Sequence, residues 1–162
     1  ILYNFEKLSG FKFEVNFVKK LVDAFPKNIV GCKDSTYNLY ENLKIKDFLI
    51  FPGDESKLLK GLEIGCSGCI SAIANVTHKL AREVFDNFEK NKPQTSNEKL
   101  IMVRHVFDNY NLISSLHSFM STKNSKFKNL LPPLTLLNSK DTKELLKKLE
   151  NLKFGINKNI AA

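Results

Sequence analysis

The sequence predicts an α/β fold with a parallel sheet, on three observations. Four short apolar runs occur at residues 1–3, 29–32, 48–51 and 69–74, with helix-length segments between them. Each connection is long enough to carry the chain back across a sheet, as parallel pairing requires. The runs are continuously apolar rather than alternating, which suits strands covered on both faces.

The elements follow in order. Ile1-Leu2-Tyr3 opens the chain as a strand, and Asn4 to Gly10 read as a turn. Between Phe13 and Phe25 the residues Val15, Val18, Leu21, Val22 and Phe25 recur at spacings of three and four, the period of an amphipathic helix. Pro26 ends it. Ile29-Val30-Gly31-Cys32 is the second strand, followed by a short connection over residues 37–46 that we take as helical. A third strand at 48–51, a helix over 56–64 and a fourth strand at 69–74 complete the alternation. Beyond Asn75 the pattern is helical: Leu80, Val84, Phe85 and Phe88 form one stripe, and Leu100, Val103, Val106 and Phe107 another, across a polar loop containing Pro93. Pro132-Pro133 interrupt the tail before a last helix over 143–152, with Ser139 and Asp141 as its capping candidates.

Composition narrows the function classes. Of 162 residues 43% are hydrophobic and 26% charged, the balance of an ordinary globular domain. The net charge is +8, but only Arg82 and Arg104 are arginines among the 25 basic residues, leaving 23 lysines interspersed with acids. A nucleic-acid surface would gather Arg and Lys with stacking aromatics, so none is expected. No apolar run approaches the roughly 20 residues that span a bilayer, and the first residues lack a secretory pattern. A cytoplasmic chain without a membrane partner is the expectation. Three cysteines, an odd number, argue against a disulfide framework. Cys66 and Cys69 have C-x-x-C spacing, but they lead into a strand-like run instead of opening a helix, so Cys32, Cys66 and Cys69 read as buried structural thiols. His78, His105 and His117 have no metal-binding spacing. Neither metal nor cofactor is expected.

The chemistry gathers where the runs end. The four runs end in polar residues: Tyr3-Asn4, Lys33-Asp34, Gly53-Asp54-Glu55, and Ser71 with Asn75 just beyond. Parallel strands all point their C-termini to one end of the sheet, where catalytic residues collect from several strands.

The segments Leu2-Tyr3-Asn4, Asn28-Ile29-Val30-Gly31-Cys32-Lys33-Asp34-Ser35, Gly53-Asp54-Glu55, and Gly65 through Gly68 to Ile70-Ser71 and Asn75 resemble, in order and spacing, the dihydrodipicolinate synthase and N-acetylneuraminate lyase superfamily. The likeness runs through the helical tail with Pro132-Pro133-Leu134. It implies a (β/α)8 TIM barrel of which this chain supplies roughly strands five to eight. Residues 1–76 would then be the second half of the barrel, and 77–162 its last helix and a C-terminal helical extension. A complete barrel takes about 250 residues. The family's first half, with its Gly-Thr-Thr/Ser loop for the keto acid's carboxylate, has no counterpart here, nor has the tyrosine that many members lend to a neighbouring subunit. That half is expected as a separate chain, a lost segment or another part of the same protein.

The resemblance also implies a metal-free class I aldolase. Lys33 would attack the ketone of pyruvate or another 2-keto acid as a free amine, a form that a dry apolar interior favours. Tyr3 would move protons. Gly53 and Glu55 would meet the distal part of the substrate, and Ile70 and Ser71 would line the site. Where the synthases carry an arginine shortly after the tyrosine, this chain has Lys7-Leu8-Ser9-Gly10, a form more similar to sialic acid lyases and 2-keto-3-deoxy sugar acid aldolases. Glu6 stands where a proline is usual. A sugar-acid lyase is therefore the first expectation, dihydrodipicolinate synthase the alternative, and a catalytically silent keto-acid-binding barrel the third. A homo-oligomer, dimer or tetramer, is implied as well.

Overall fold

The computed structural model describes residues 1–155; residues 156–162 of the expected helical extension lie outside the described part. Its elements are β1 (Leu2–Asn4), α1 (Glu6–Ser9), α2 (Val15–Ala24), β2 (Gly31–Asp34), β3 (Leu49–Pro52), α3 (Leu58–Glu63), α4 (Ala74–Glu89), α5 (Asn97–Asp108), α6 (Leu112–Ser121) and α7 (Ser139–Asn151). The three strands form one parallel sheet in the order β1-β2-β3.

The register sorts the side chains into two faces, because successive residues of a strand point opposite ways. Leu2, Cys32 and Ile50 lie in one cross-strand row, and Asn4, Asp34 and Pro52 in another on the same face. That face is covered: Cys32 and Ile50 pack with Val18, Leu39, Tyr40, Leu43 and Cys66, and Val22 of α2 adds to the cluster. The intervening row, Tyr3, Lys33 and Phe51, points to the other face. There Tyr3 is 46% exposed and Leu49 43%. Gly31 belongs to this second face, where a Cβ would come within 2.6 Å of the Leu49 carbonyl oxygen, so only glycine lets β2 and β3 approach this closely.

Two further apolar clusters carry the helices. Leu58 and Leu62 of α3 meet Val84 of α4 and Leu100 of α5, linking the sheet layer to the tail. Ile73, Val76, Val103, Phe107, Leu116, Phe119, Leu145 and Leu149 close the tail around its own core, with Phe107 and Phe119 edge to face at 5.7 Å.

Several expectations change. The fourth run, residues 69–74, is no strand. It stays extended beside β3 through only two backbone bonds, Ser67 N–H to the Ile50 carbonyl at 2.8 Å and Ile70 N–H to the Pro52 carbonyl at 3.1 Å, and Ala74 already begins α4. Gly68, at φ +141°, turns the backbone out of strand geometry between those bonds. The connection over 37–46 is a series of turns with one helical bond, from Leu43 N–H to the Leu39 carbonyl. Its N–H groups are taken by a side chain instead, as described below. The second strand lies two residues further on than its apolar run, so Lys33 and Asp34 are part of β2 rather than beyond it. The expected helix over 56–64 splits into a 3-10 turn (Glu55–Lys57) and α3. The last helix starts earlier, at Ser139, and its cap is Asn138, whose side chain accepts from Asp141 N–H at 2.9 Å.

Gly31→Ala should lower stability by about 1–3 kcal/mol, since the added methyl meets backbone that cannot rotate away. Urea unfolding followed by circular dichroism measures it. An unchanged midpoint would contradict the close β2–β3 approach.

Candidate active site

The site is built from the C-terminal ends of the three strands. On the covered face the Asp34 carboxylate, fully buried, accepts five hydrogen bonds. Asn4 Nδ2 at 2.8 Å, Thr36 N–H at 3.2 Å and Tyr37 N–H at 2.9 Å reach Oδ1, while Leu39 N–H at 2.8 Å and Tyr40 N–H at 2.9 Å reach Oδ2. Four backbone donors of a buried turn thus find their acceptor in one side chain. Asn4, also fully buried, spends its second amide hydrogen on Asn38 Oδ1 at 2.7 Å, and its carbonyl oxygen accepts from Phe13 N–H at 3.0 Å. The ends of β1 and β2 are thereby fixed to each other and to the loops around them. Tyr37 is held at φ +65°, a strained conformation for a bulky residue, with its own N–H on Asp34. Burial, with Asp54 close by, pushes its phenol up to about 12.

One residue before Asp34, on the open face, stands Lys33. It is half-buried, and its Nζ lies 4.2 Å from the centroid of the Tyr3 ring, its register partner on β1. Amine and phenol therefore share one row of the sheet. Gly53 follows β3 and donates its N–H to the Asp34 carbonyl at 2.8 Å; a Cβ there would meet Ser35 Oγ at 2.1 Å. Ile70, 39% exposed, is placed by its N–H bond to Pro52, at the end of β3. Ser71, half-buried, follows it.

Glu55 is placed differently from its expected role. It is fully buried, with Oε1 accepting from Thr77 Oγ1 at 3.2 Å and Oε2 from Arg104 Nη1 at 3.1 Å. Both carboxylate oxygens serve the helices behind the site. Arg104, on α5, also bonds Asp108 through Nε at 2.8 Å and Ser71 Oγ through Nη1 at 3.2 Å, and lies 3.5 Å from Asp54 Oδ1. Burial alone would lower the guanidinium's affinity for its proton, but Asp54, Glu55 and Asp108 outweigh it and hold the value above the ordinary one. Thr77 and Arg104 were given no site role from sequence, and Asn4 and Asp34 were noted there only as polar residues at run ends. Arg104 had a signal: it occupies the core-facing stripe of Leu100, Val103 and Phe107, where a charge demands a partner.

The three thiols are free. Burial pushes Cys32 and Cys69 up to about 12 and raises Cys66 as well. A cleft of about 390 Å3 lined by Tyr40, Leu43, Phe48 and Cys66 lies at the start of β3, away from the strand ends that carry Lys33. Among the described residues no group of three or more His, Cys, Asp or Glu could hold a metal ion, and no helix is long and apolar enough to cross a membrane.

Known structures place this half-sheet and its helices within a TIM barrel. Dihydrodipicolinate synthase from Agrobacterium tumefaciens superposes with a TM-score of 0.77 at 21% identity, over 94% of this chain and 53% of that one. The 2-keto-3-deoxygluconate aldolase of Sulfolobus solfataricus, in a variant crystallised with L-2-keto, 3-deoxy-galactonate, gives 0.77 at 16% identity, over 94% and 53%. The fold is the second half of a (β/α)8 barrel with its helical extension.

The sequence profile of the dihydrodipicolinate synthetase family matches residues 1–152, and the chain belongs to that family. Among relatives, the 4-hydroxy-tetrahydrodipicolinate synthase of Desulforamulus reducens is 31% identical over 93 residues, 54% of this chain and 31% of that protein. The enzyme of the same name from Hydrogenobaculum is 36% identical over 86 residues, covering 51% and 29%. The chain thus matches about a third of the length of these curated relatives and about half of the solved structures.

Asp34→Ala leaves four backbone N–H groups and the Asn4 amide without their acceptor. It should cost on the order of 4 kcal/mol or more, read as loss of the cooperative urea transition; a small shift would show that water replaces the carboxylate. For the thiols, a folded value above the unfolded one means stability is full below about pH 9 and is lost as pH rises toward 12. Iodoacetamide at pH 8 should modify all three cysteines slowly in the folded chain and rapidly in urea. Fast labelling of Cys32 or Cys66 in the folded chain would contradict their burial.

Proposed function

We propose that this chain carries the Schiff-base half of a pyruvate-dependent carbon–carbon lyase, with Lys33 as the amine and Tyr3 as the proton carrier. The observation that supports it is the Lys33–Tyr3 pair on the open sheet face, 4.2 Å from Nζ to ring centroid. Lys33 Nζ attacks C2 of the keto acid, the carbinolamine loses water, and the resulting iminium draws electrons from the adjacent carbon. That carbon can then release an aldehyde as the C3–C4 bond breaks, or add to one in the reverse direction. The Tyr3 hydroxyl acts as a relay, passing its own proton to the substrate carboxylate as it accepts the one from the C4 hydroxyl during cleavage, and running the same exchange backwards during condensation. Gly53, Ile70 and Ser71 border the distal part of the substrate. Glu55 supports that border from behind through Arg104 and Thr77.

The sheet itself argues for a completing half. Among the described residues β1 is paired on one side only, and the face carrying Tyr3, Lys33 and Leu49 stands open. An exposed parallel edge above an apolar face invites further strands. Four more βα units, from the same protein or a separate chain, would close the barrel, dry the amine and bring the carboxylate loop. Assembly into a dimer or tetramer and a cytoplasmic location belong to the same reading.

For the aldehyde partner, the Lys7-Leu8-Ser9-Gly10 segment favours a 2-keto-3-deoxy sugar acid or a sialic-acid-like substrate. The second reading, condensation of pyruvate with aspartate semialdehyde, is favoured by the names of the relatives.

With the barrel completed in cis or by co-expression, pyruvate and borohydride should add one reduced pyruvate to the chain by mass spectrometry. Lys33→Ala should remove the adduct. Tyr3→Phe should keep it while lowering kcat on the order of 100- to 10,000-fold. A parent that stays unmodified would leave a silent barrel and end the proposal.

A further inference from the structure

Three lysines far from the strand ends border one small cavity. Lys79 comes from α4, Lys99 from the first turn of α5 and Lys153 from the turn after α7, and the space between them measures about 170 Å3 over a floor of Val76, Leu80 and Phe154. Its frame is fixed. Val76 is buried, and Phe154 stacks on Phe119 at 5.9 Å against the core of the tail. Lys153 stands at φ +49°, and its carbonyl accepts from Lys99 Nζ at 3.1 Å. That bond takes one of the three amine hydrogens of Lys99 and leaves two to be offered. Among the described residues none of the three amines forms an ion pair and no acid borders the cavity, whereas Lys12, Lys60 and Lys148 each meet a carboxylate.

Three like charges around one cavity repel each other, and an apolar floor weakens the screening by water, so an anion placed there relieves the repulsion. The volume is below the roughly 300–1,000 Å3 of clefts for larger organic ligands, which limits the anion to a compact one. We propose that the junction of α4, α5 and the end of α7 binds a doubly charged phosphoryl group, as inorganic phosphate or as a small phosphate monoester. A tetrahedral oxyanion has acceptors on every side and suits donors that arrive from three separate elements, whereas a planar carboxylate presents its two oxygens along one edge. The bound group ties the end of α7 to α4 and α5. Val76 on the cavity floor precedes Thr77, which bonds Glu55, and Lys99 shares α5 with Arg104, so the ligand steadies the helices that back the strand ends.

Equilibrium dialysis of radiolabelled inorganic phosphate against the barrel-complete protein, with ionic strength held constant by KCl, tests the site. The parent should hold one phosphate per chain. Lys79→Gln combined with Lys153→Gln changes two exposed side chains and should weaken binding roughly tenfold or more, while the urea midpoint measured without phosphate does not fall. Lys126→Gln combined with Lys128→Gln removes the same charge from another exposed stretch and should bind as the parent does. Displacement of the label by glycerol 2-phosphate at a lower concentration than by unlabelled phosphate identifies a monoester as the occupant; displacement only at a higher one identifies free phosphate. No bound phosphate in the parent, or equal weakening in the two double variants, would show a merely solvated basic surface and overturn the proposal. Lys33→Ala should also bind as the parent does; loss of binding there would put the phosphate at the strand ends and overturn the proposal as well. The borohydride adduct bears on the aldolase reading alone, so either conclusion can fail without the other.

Discussion

The Asp34 carboxylate holds the site together. It closes the end of β2 by gathering the N–H groups of Thr36, Tyr37, Leu39 and Tyr40, and it grips Asn4 at the end of β1. Because side chains alternate along a strand, fixing Asp34 on the covered face fixes Lys33 on the opposite one. Fixing Asn4 does the same for Tyr3. The amine and the phenol are thus aligned by a hydrogen-bonded pair that neither of them touches. The strained Tyr37 backbone persists for the same reason, since its N–H is one of the donors that Asp34 requires.

Behind this row the structure is tied to its helical tail by charge as well as by apolar packing. Arg104 sits in the seam between α5 and the segments that follow β3, with Glu55 fully buried against it. A guanidinium suits this position because its fork can serve Glu55, Ser71 and Asp108 at once without losing its proton. The tail is therefore part of the site's wall rather than an appendage, and α5 is the element through which changes in the tail would reach the strand ends.

Much of this was legible in the sequence, and the failures have physical causes. The parallel alternation, α2 and the helical tail followed from apolar period, which packing against a single core imposes directly. Tyr3 and Lys33 stand at the ends of apolar runs, where parallel strands end together, and the family resemblance singled them out among the polar residues there. The residues 69–74 misled because an apolar run satisfied by two backbone bonds has the composition of a strand without its ladder. The turns over 37–46 read as helix because the donors that a helix would satisfy internally are taken by Asp34, a long-range choice that local period does not reveal. Glu55 was expected against the distal part of the substrate, because its partner Arg104 lies 49 residues away, beyond the reach of any local pattern.

The central claim is that one lysine among 23 is selected by its place in the sheet. Peptide mapping of the borohydride-trapped, barrel-complete protein tests it most directly. The reduced pyruvate should be found on Lys33 alone. An adduct spread over surface lysines, or carried by another single lysine, would contradict it.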